Sequence, residues 1–311
     1  MIEIFRYANS KVEKINEFEE KCWINITSPT DEEITEISEK FSIPADFLTD
    51  ALDIDERARV ECESTCDLII LRIPFLEENS EIPFTTIPLG IILLKNSEIV
   101  ITVCSKNNKV VTDFITGRAK TFKIKDRTDF ILYFFLKTTH LYLNDLKEIN
   151  RRTSAIEYEL HQSIKNEELI KLLNLEKCLV YFTTSLRSND IMMERLQKTN
   201  IIPFDSVDTD IIEDILIDNK QAIEMSNIYS SILSGMMDAF ASVISNNLNI
   251  VLKFLTGISI ILMIPTLIAS IYGMNIELPL QHFPYAFLVI MILSIVFSVA
   301  GIIFFIHRRW F

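Results

Sequence analysis

Glycine is scarce in this chain of 311 residues. There are six (Gly90, Gly117, Gly235, Gly257, Gly273 and Gly301), and no GxxxxGK phosphate loop occurs among them. ATP-driven work by the chain is therefore not expected. The four histidines (His140, His161, His282, His307) show no metal-ligand spacing. Neither an HExxH motif nor a Ser/His/Asp set stands out, so we expect no enzyme. The five cysteines (Cys22, Cys62, Cys66, Cys104, Cys178) are odd in number and scattered, which reads as reduced, structural thiols. Cys62-x3-Cys66 could hold half a zinc site, but no second pair of suitable spacing follows. The N-terminal MIEIFRYANS lacks a basic n-region and an apolar h-region, so no cleaved export signal is expected.

Positive charge is also in deficit. Thirty basic groups face 43 acidic ones, a net charge of -13, although 49% of the chain is apolar and the mean hydropathy is +0.26. Both facts hold only if apolar residues are segregated. From residue 250 onward the charged side chains are Lys253, Glu277, Arg308 and Arg309, which leaves 27 basic against 42 acidic groups before them. Such an acidic soluble part argues against a nucleic-acid partner and suits cations.

Two long stretches carry no charge, Phe254 to Ile276 and Phe283 to Ile306. Each meets the roughly 20 apolar residues that a bilayer-spanning helix needs. Lys253 flanks the first stretch and Arg308-Arg309 the end of the second, while residues 273–284 contain no Lys or Arg. The positive-inside rule then puts both termini in the cytosol and the short loop outside. His307 to Phe311 reads as an interfacial anchor in membrane lipid.

Before the membrane part, residues 1–125 read as an α/β domain. "DLIILRIPFL", "TTIPLGIILL" and "EIVITVC" are strands, and "SPTDEEITEISEKF" is a capped helix with acids in its first turn. Residues 126–250 read as long helices. From Phe204 to Ile264 there is no proline, and Asp205 and Ser206 are N-cap candidates. An unbroken helix of that span would be on the order of 90 Å long, about three times the hydrocarbon thickness. It would join a cytosolic stalk to the first span. Residues 251–311 form the membrane part, with spans at about 251–272 and 285–306 and an outer loop at 273–284.

Polar and small residues recur along the first span: Asn249, Leu252, Thr256, Ser259, Met263, Thr266, Ser270, in steps of 3 and 4. That is a seam along one helix face. It fits a helix–helix contact or a pore ringed by copies of the helix, which requires an oligomer because two spans cannot enclose a pore.

Tyr272-Gly273-Met274-Asn275, set between two C-terminal spans with a basic tail, resembles the signature of the CorA family of divalent-cation channels. "SGMMDAF", "SNNLNIVLKFLT" and "IASIYGMN" are similar to that family's stalk and pore helix. The resemblance implies a homopentameric funnel with the first span lining the pore, passing Mg2+ and also Co2+ and Ni2+ passively. It implies that Gly273, Met274 and Asn275 form the selectivity site, with Asn275 ringing the outer mouth and Gly273 permitting the tight turn there. Thr266 and Asn249 become polar rings, and Met263, Leu255 and Leu252 a hydrophobic gate. In the family the pore proline commonly follows the methionine directly; here Ile264 intervenes before Pro265, and Glu277 is the lone acid of the outer loop.

Asp205, Asp208, Asp210, Glu213, Asp214 and Asp218 crowd into fourteen residues. Most suit a solvated helix start. The resemblance singles out Asp214, paired across a subunit boundary with Glu77 or its neighbour Glu78, as a regulatory Mg2+ site. Asp238 reads either as an inner acidic ring or as a surface acid. Mg2+ is thus expected as cargo and regulator, with no organic cofactor. A zinc-transporting relative and a membrane-anchored sensor or scaffold are the rival readings. An anchor, however, has no need of a polar seam or of an amide at the turn.

Overall fold

A computed structural model describes residues 1–8, 11–116, 126–162, 166–199, 201–275, 278–279 and 283–308. The strands are β1 (Ile2–Ala8), β2 (Lys11–Ile15), β3 (Cys22–Thr27), β4 (Arg59–Cys62), β5 (Cys66–Leu76), β6 (Phe84–Leu94) and β7 (Val100–Cys104). The helices are α1 (Asp31–Phe41), α2 (Ala45–Asp50), α3 (Lys109–Ile115), α4 (Arg127–Gln162), α5 (Asn166–Thr199), α6 (Ser206–Tyr272) and α7 (Ala286–His307). The chain divides into two compact units, Met1–Gly235 and Met236–Phe311.

In the first unit seven strands form one sheet in the order β2-β1-β3-β7-β6-β5-β4. Only β3 and β7 pair in parallel; the other neighbours are antiparallel. The three long apolar runs of the sequence are β5, β6 and β7. They look continuous rather than alternating because both sheet faces are covered. Leu68 and Ile70 of β5 join Ile37, Phe47 and Leu48 of α1 and α2 on one face. Ile69, Leu71 and Ile73 join Phe130, Phe134, Met193 and Ile212 of α4, α5 and α6 on the other. Gly90 of β6 allows the close approach of α2, since an added Cβ would lie 2.5 Å from the Ala51 Cβ.

Local signals explain the helix starts. Thr30 and Glu33 form a reciprocal capping box on α1. At α6, the Asp205 carboxylate accepts from the N–H groups of Val207 and Asp208, both at 2.8 Å, and the Asp208 carboxylate accepts from the Asp205 N–H at 3.0 Å. Two acids of the crowded run are thus structural.

One tertiary device completes the sheet edge. Beyond the Arg59–Ile70 pair, β4 no longer covers β5. There the Asn189 carboxamide of α5 donates to the Arg72 carbonyl at 2.8 Å and accepts the Arg72 N–H at 2.9 Å. A side chain takes the place of a strand. The Arg72 guanidinium donates to the carbonyls of Ile54, Glu56 and Thr86, so a half-buried cation is held by neutral oxygens.

In the second unit, the apolar part of α6 and all of α7 are long and apolar enough to cross a membrane. Only 6% and 11% of those apolar stretches are buried within the chain, whereas the core helix of a soluble protein is mostly buried. α6 runs unbroken from Ser206 to Tyr272 with Pro265 inside it, so the proline-free stalk continues into the first span as expected.

Candidate functional site: the exposed seam of α6

The intrachain contact of α6 and α7 uses one face of α6. A Cβ added at Gly301 of α7 would meet Ile264 Cδ1 at 3.5 Å and Ile261 Cγ1 at 3.9 Å, ordinary contact distances. Gly257 is buried, and Ile258, Ile261, Ile264, Pro265 and Ile268 are half-buried. At about 100° per residue, Gly257, Ile261, Ile264 and Ile268 cluster on the side roughly opposite the polar seam.

The seam itself is uncovered. Asn249, Leu252, Thr256, Ser259, Met263, Thr266 and Ser270 are all exposed, with Met263 at 68% and Leu252 at 50%. Leu255, at 58% exposed, lies beside the seam. Met263, Thr266 and Ser270, with Ile260, Ile264 and Leu267, line a groove of about 410 Å³. Within the chain the seam is therefore not the helix–helix contact.

Its hydroxyls have a fixed polarity. Thr266 Oγ1 donates to the Leu262 carbonyl at 3.1 Å, and Ser259 Oγ donates to the Leu255 carbonyl at 2.9 Å. With the proton committed to the backbone, each oxygen keeps its lone pairs free to accept. Water around a metal ion presents its hydrogens outward, so such oxygens suit a hydrated cation. Magnesium in particular gives up its waters reluctantly.

At its C-terminal end α6 delivers the signature turn. The Gly273 N–H donates to the Ala269 carbonyl at 3.0 Å and that of Met274 to Ile271 at 3.3 Å. Gly273 does not lie in the left-handed region, and what glycine supplies is space. An added Cβ would press on the Ala269 carbonyl at 3.3 Å. Met274 and Asn275 are exposed beyond it. Glu277 lies outside the described residues.

In the first unit, Glu77 follows β5 and opens the β5–β6 turn, with its N–H donating to the Pro83 carbonyl at 2.8 Å. Its carboxylate accepts from Lys106 Nζ at 3.1 Å, and that ammonium also lies 4.9 Å from the Phe75 ring centroid. Lys106 follows β7, 29 residues on in the chain, and nothing local in the sequence announces the pairing. Glu78, Asp214 and Asp238 are exposed, and Asp214 and Asp238 are both on α6. Asp218 faces His140 at 3.7 Å. Among the described residues no group of three or more His, Cys, Asp or Glu could hold a metal within one chain. Cys62 is exposed and Cys66 buried, and both are free thiols.

The chain is similar to known proteins over most of its length. Residues 18–308 match the family model of the CorA-like Mg2+ transporter protein. The cobalt/magnesium transport protein CorA of Methanocaldococcus jannaschii is 31% identical over 293 residues, 93% of this chain and 90% of that protein. The protein of the same name from Thermotoga maritima is 26% identical over 322 residues, 99% of this chain and 90% of that one. The complete structure of the CorA magnesium transporter from Methanocaldococcus jannaschii superposes with a TM-score of 0.86. The sequence identity there is 28%, and 100% of this chain and 99% of that chain are covered.

Proposed function

The chain belongs to the CorA-like Mg2+ transporter family, and from that premise we propose that it is a passive divalent-cation channel that takes up Mg2+. Co2+ and Ni2+ are further cargo by the same chemistry. Five copies surround one water-filled path lined by the exposed seam of α6, with α7 outside it. The protein lies in the cell's inner membrane with both termini in the cytosol.

One observation carries this reading: the polar seam of α6 faces away from α7, so intrachain packing leaves it uncovered in a bilayer. Exposed hydroxyl and amide groups facing lipid are unfavourable. Copies of the same face turned toward a shared axis remove that cost and enclose water. Asn275 then rings the outer mouth as a neutral oxygen acceptor, at the turn shaped by Gly273 and Met274. Glu277 draws cations toward that mouth. Thr266 and Asn249 form further polar rings. Met263, Leu255 and Leu252 form the gate, which closes by excluding water.

Neutral acceptors support passage because they hold the hydration shell without stripping it. A ring of carboxylates would bind the ion too tightly for release. The driving force needs no nucleotide: 100 mV is worth about 2.3 kcal/mol per charge, hence roughly a thousandfold accumulation of a divalent ion.

Feedback belongs to the cytosolic unit. Asp214 of one subunit faces Glu77 of the next, with Glu78 adjacent, and two carboxylates repel unless a cation lies between them. Mg2+ there ties subunits together and keeps the pore shut; its loss loosens them. Asp238 adds an acidic ring at the inner mouth.

The test is flux into proteoliposomes holding the full chain, with Mg2+, Co2+, Ni2+ and Zn2+ in competition. Wild type conducts Mg2+ without ATP and Asn275→Ala does not. A preparation impermeable to all four ions ends the reading.

A further inference from the structure

We propose that Ser259 breaks the hydrophobic gate in two, and that its ring of hydroxyls holds a hydrated cation at half-height within the gate. The inference rests on the channel reading above and assigns a role to a seam residue to which that reading gave none.

The hydrophobic gate was assembled from Leu252, Leu255 and Met263. Met263 lies eight residues after Leu255 on α6, an axial rise of about 12 Å. A dry plug of that height would be a severe barrier to an ion carrying two charges. The seam, however, is not apolar over that rise. By helical phase, Leu252, Ser259 and Thr266 follow one track at intervals of seven, and Asn249, Thr256, Met263 and Ser270 follow a second beside it. Leu255 falls about 70° from the seam's centre line, whereas Ser259 falls about 30° from it. Ser259 therefore looks more directly along the proposed axis than one of the residues assigned to the gate.

Three further observations bear on what its hydroxyl can do. Ser259 is exposed on the single chain, away from the α7 contact. Its proton is committed to the Leu255 carbonyl at 2.9 Å. Its oxygen therefore offers acceptor lone pairs only, the polarity that the outward hydrogens of a hydrated cation require. Thr266, one track interval further out, has the same arrangement on the Leu262 carbonyl at 3.1 Å. A cation leaving the Thr266 ring thus meets the Met263 ring, then the Ser259 acceptors, then Thr256 and the leucines. Two short dry rings with a wet station between them need less simultaneous opening than one long plug. The Met263 ring becomes the principal barrier.

The experiment measures Mg2+ flux in proteoliposomes, using the full chain at low internal Mg2+. The variants are Ser259→Ala, Ser259→Leu and Ser259→Thr, with Asn275→Ala beside them. Ser259→Ala should lower flux about tenfold, corresponding to about 1.4 kcal/mol of lost stabilisation at the barrier. Ser259→Leu, which joins the two dry rings, should lower it further. Ser259→Thr, which keeps the hydroxyl, should stay within about threefold of wild type. Protection of the cytosolic part from protease by Mg2+ should be the same in all three, because the regulatory carboxylates are untouched.

Wild-type flux in Ser259→Ala overturns the inference, whatever Ser259→Leu does, because bulk alone would then be at work. Ser259→Thr as slow as Ser259→Ala overturns it too. If either result comes with a silent Asn275→Ala channel, the channel reading stands and only the role of Ser259 falls. Full flux in Asn275→Ala removes the outer ring from the channel reading, and the inference falls with it.

Discussion

Lys106 Nζ lies 3.1 Å from Glu77 Oε1, so a carboxylate proposed to hold Mg2+ between subunits already has a tethered cation within its own chain. Metal binding there means exchanging one positive partner for another. Both side chains are partly exposed, which keeps the pair weak and exchangeable, on the order of 0.2–1 kcal/mol. Lys106→Gln should therefore lower the Mg2+ concentration giving half-maximal protection from chymotrypsin by about two- to fivefold. Asp214→Ala combined with Glu77→Ala should flatten that dependence altogether. Unchanged protection in the double variant would remove both residues from the regulation.

Thr266 tests the acceptor chemistry of the path. Valine has nearly its shape and no oxygen, so Thr266→Val should cut Mg2+ flux about tenfold or more, while Thr266→Ser should conserve most of it. Equal flux in Val and Ser variants would mean that the ring touches no part of the hydration shell.

Asp145 on α4 supplies a pH dependence in the cytosolic unit. Burial pushes its carboxyl up to about 6; Glu148 raises it too, and Lys109 and Arg152 only partly oppose this. In the folded chain it therefore takes up a proton at a higher pH than it would unfolded. Its contribution to stability is complete below the usual aspartate value, falls as pH rises toward 6, and is absent above. Asp145→Asn should accordingly stabilise the protein at pH 7.5 by on the order of 2 kcal/mol and do little at pH 4. Thermal unfolding of the detergent-solubilised protein at the two pH values checks this. A variant destabilised at pH 7.5 would show that the carboxylate is needed in its charged form.

Asn189 and the Arg72 backbone give a stability prediction free of any functional assumption. Asn189→Ala strips two hydrogen bonds from the β5 edge and leaves its part-buried N–H without that acceptor. The loss should be about 2–3 kcal/mol, which lowers the apparent Tm by several degrees. A shift under one degree would mean that water replaces the amide at no cost.

Much of this molecule was legible from one dimension. The spans, the three long strands and the starts of α1 and α6 follow from local chemistry. Charge-free runs require a bilayer, apolar runs of strand length form a sheet, and Thr30 and Asp205 hold the first N–H groups of their helices. The seven-residue seam was legible too, because helical phase is a property of the chain alone. Its meaning was not. Spacing left a helix contact and a pore equally open, and only the seating of Gly301 near Ile261 and Ile264 identified the face that α7 uses.

The pairings across long sequence separations were likewise invisible. Lys106 reaches Glu77 because β5 and β7 flank β6 in the sheet. Asn189 reaches Arg72 because α5 packs where β4 stops pairing. The sequence by itself determined every feature set by periodicity, capping or the need for an apolar solvent, since those act between near neighbours. The tertiary structure alone decided which faces are covered and which charges meet, because those depend on the order in which the sheet was assembled.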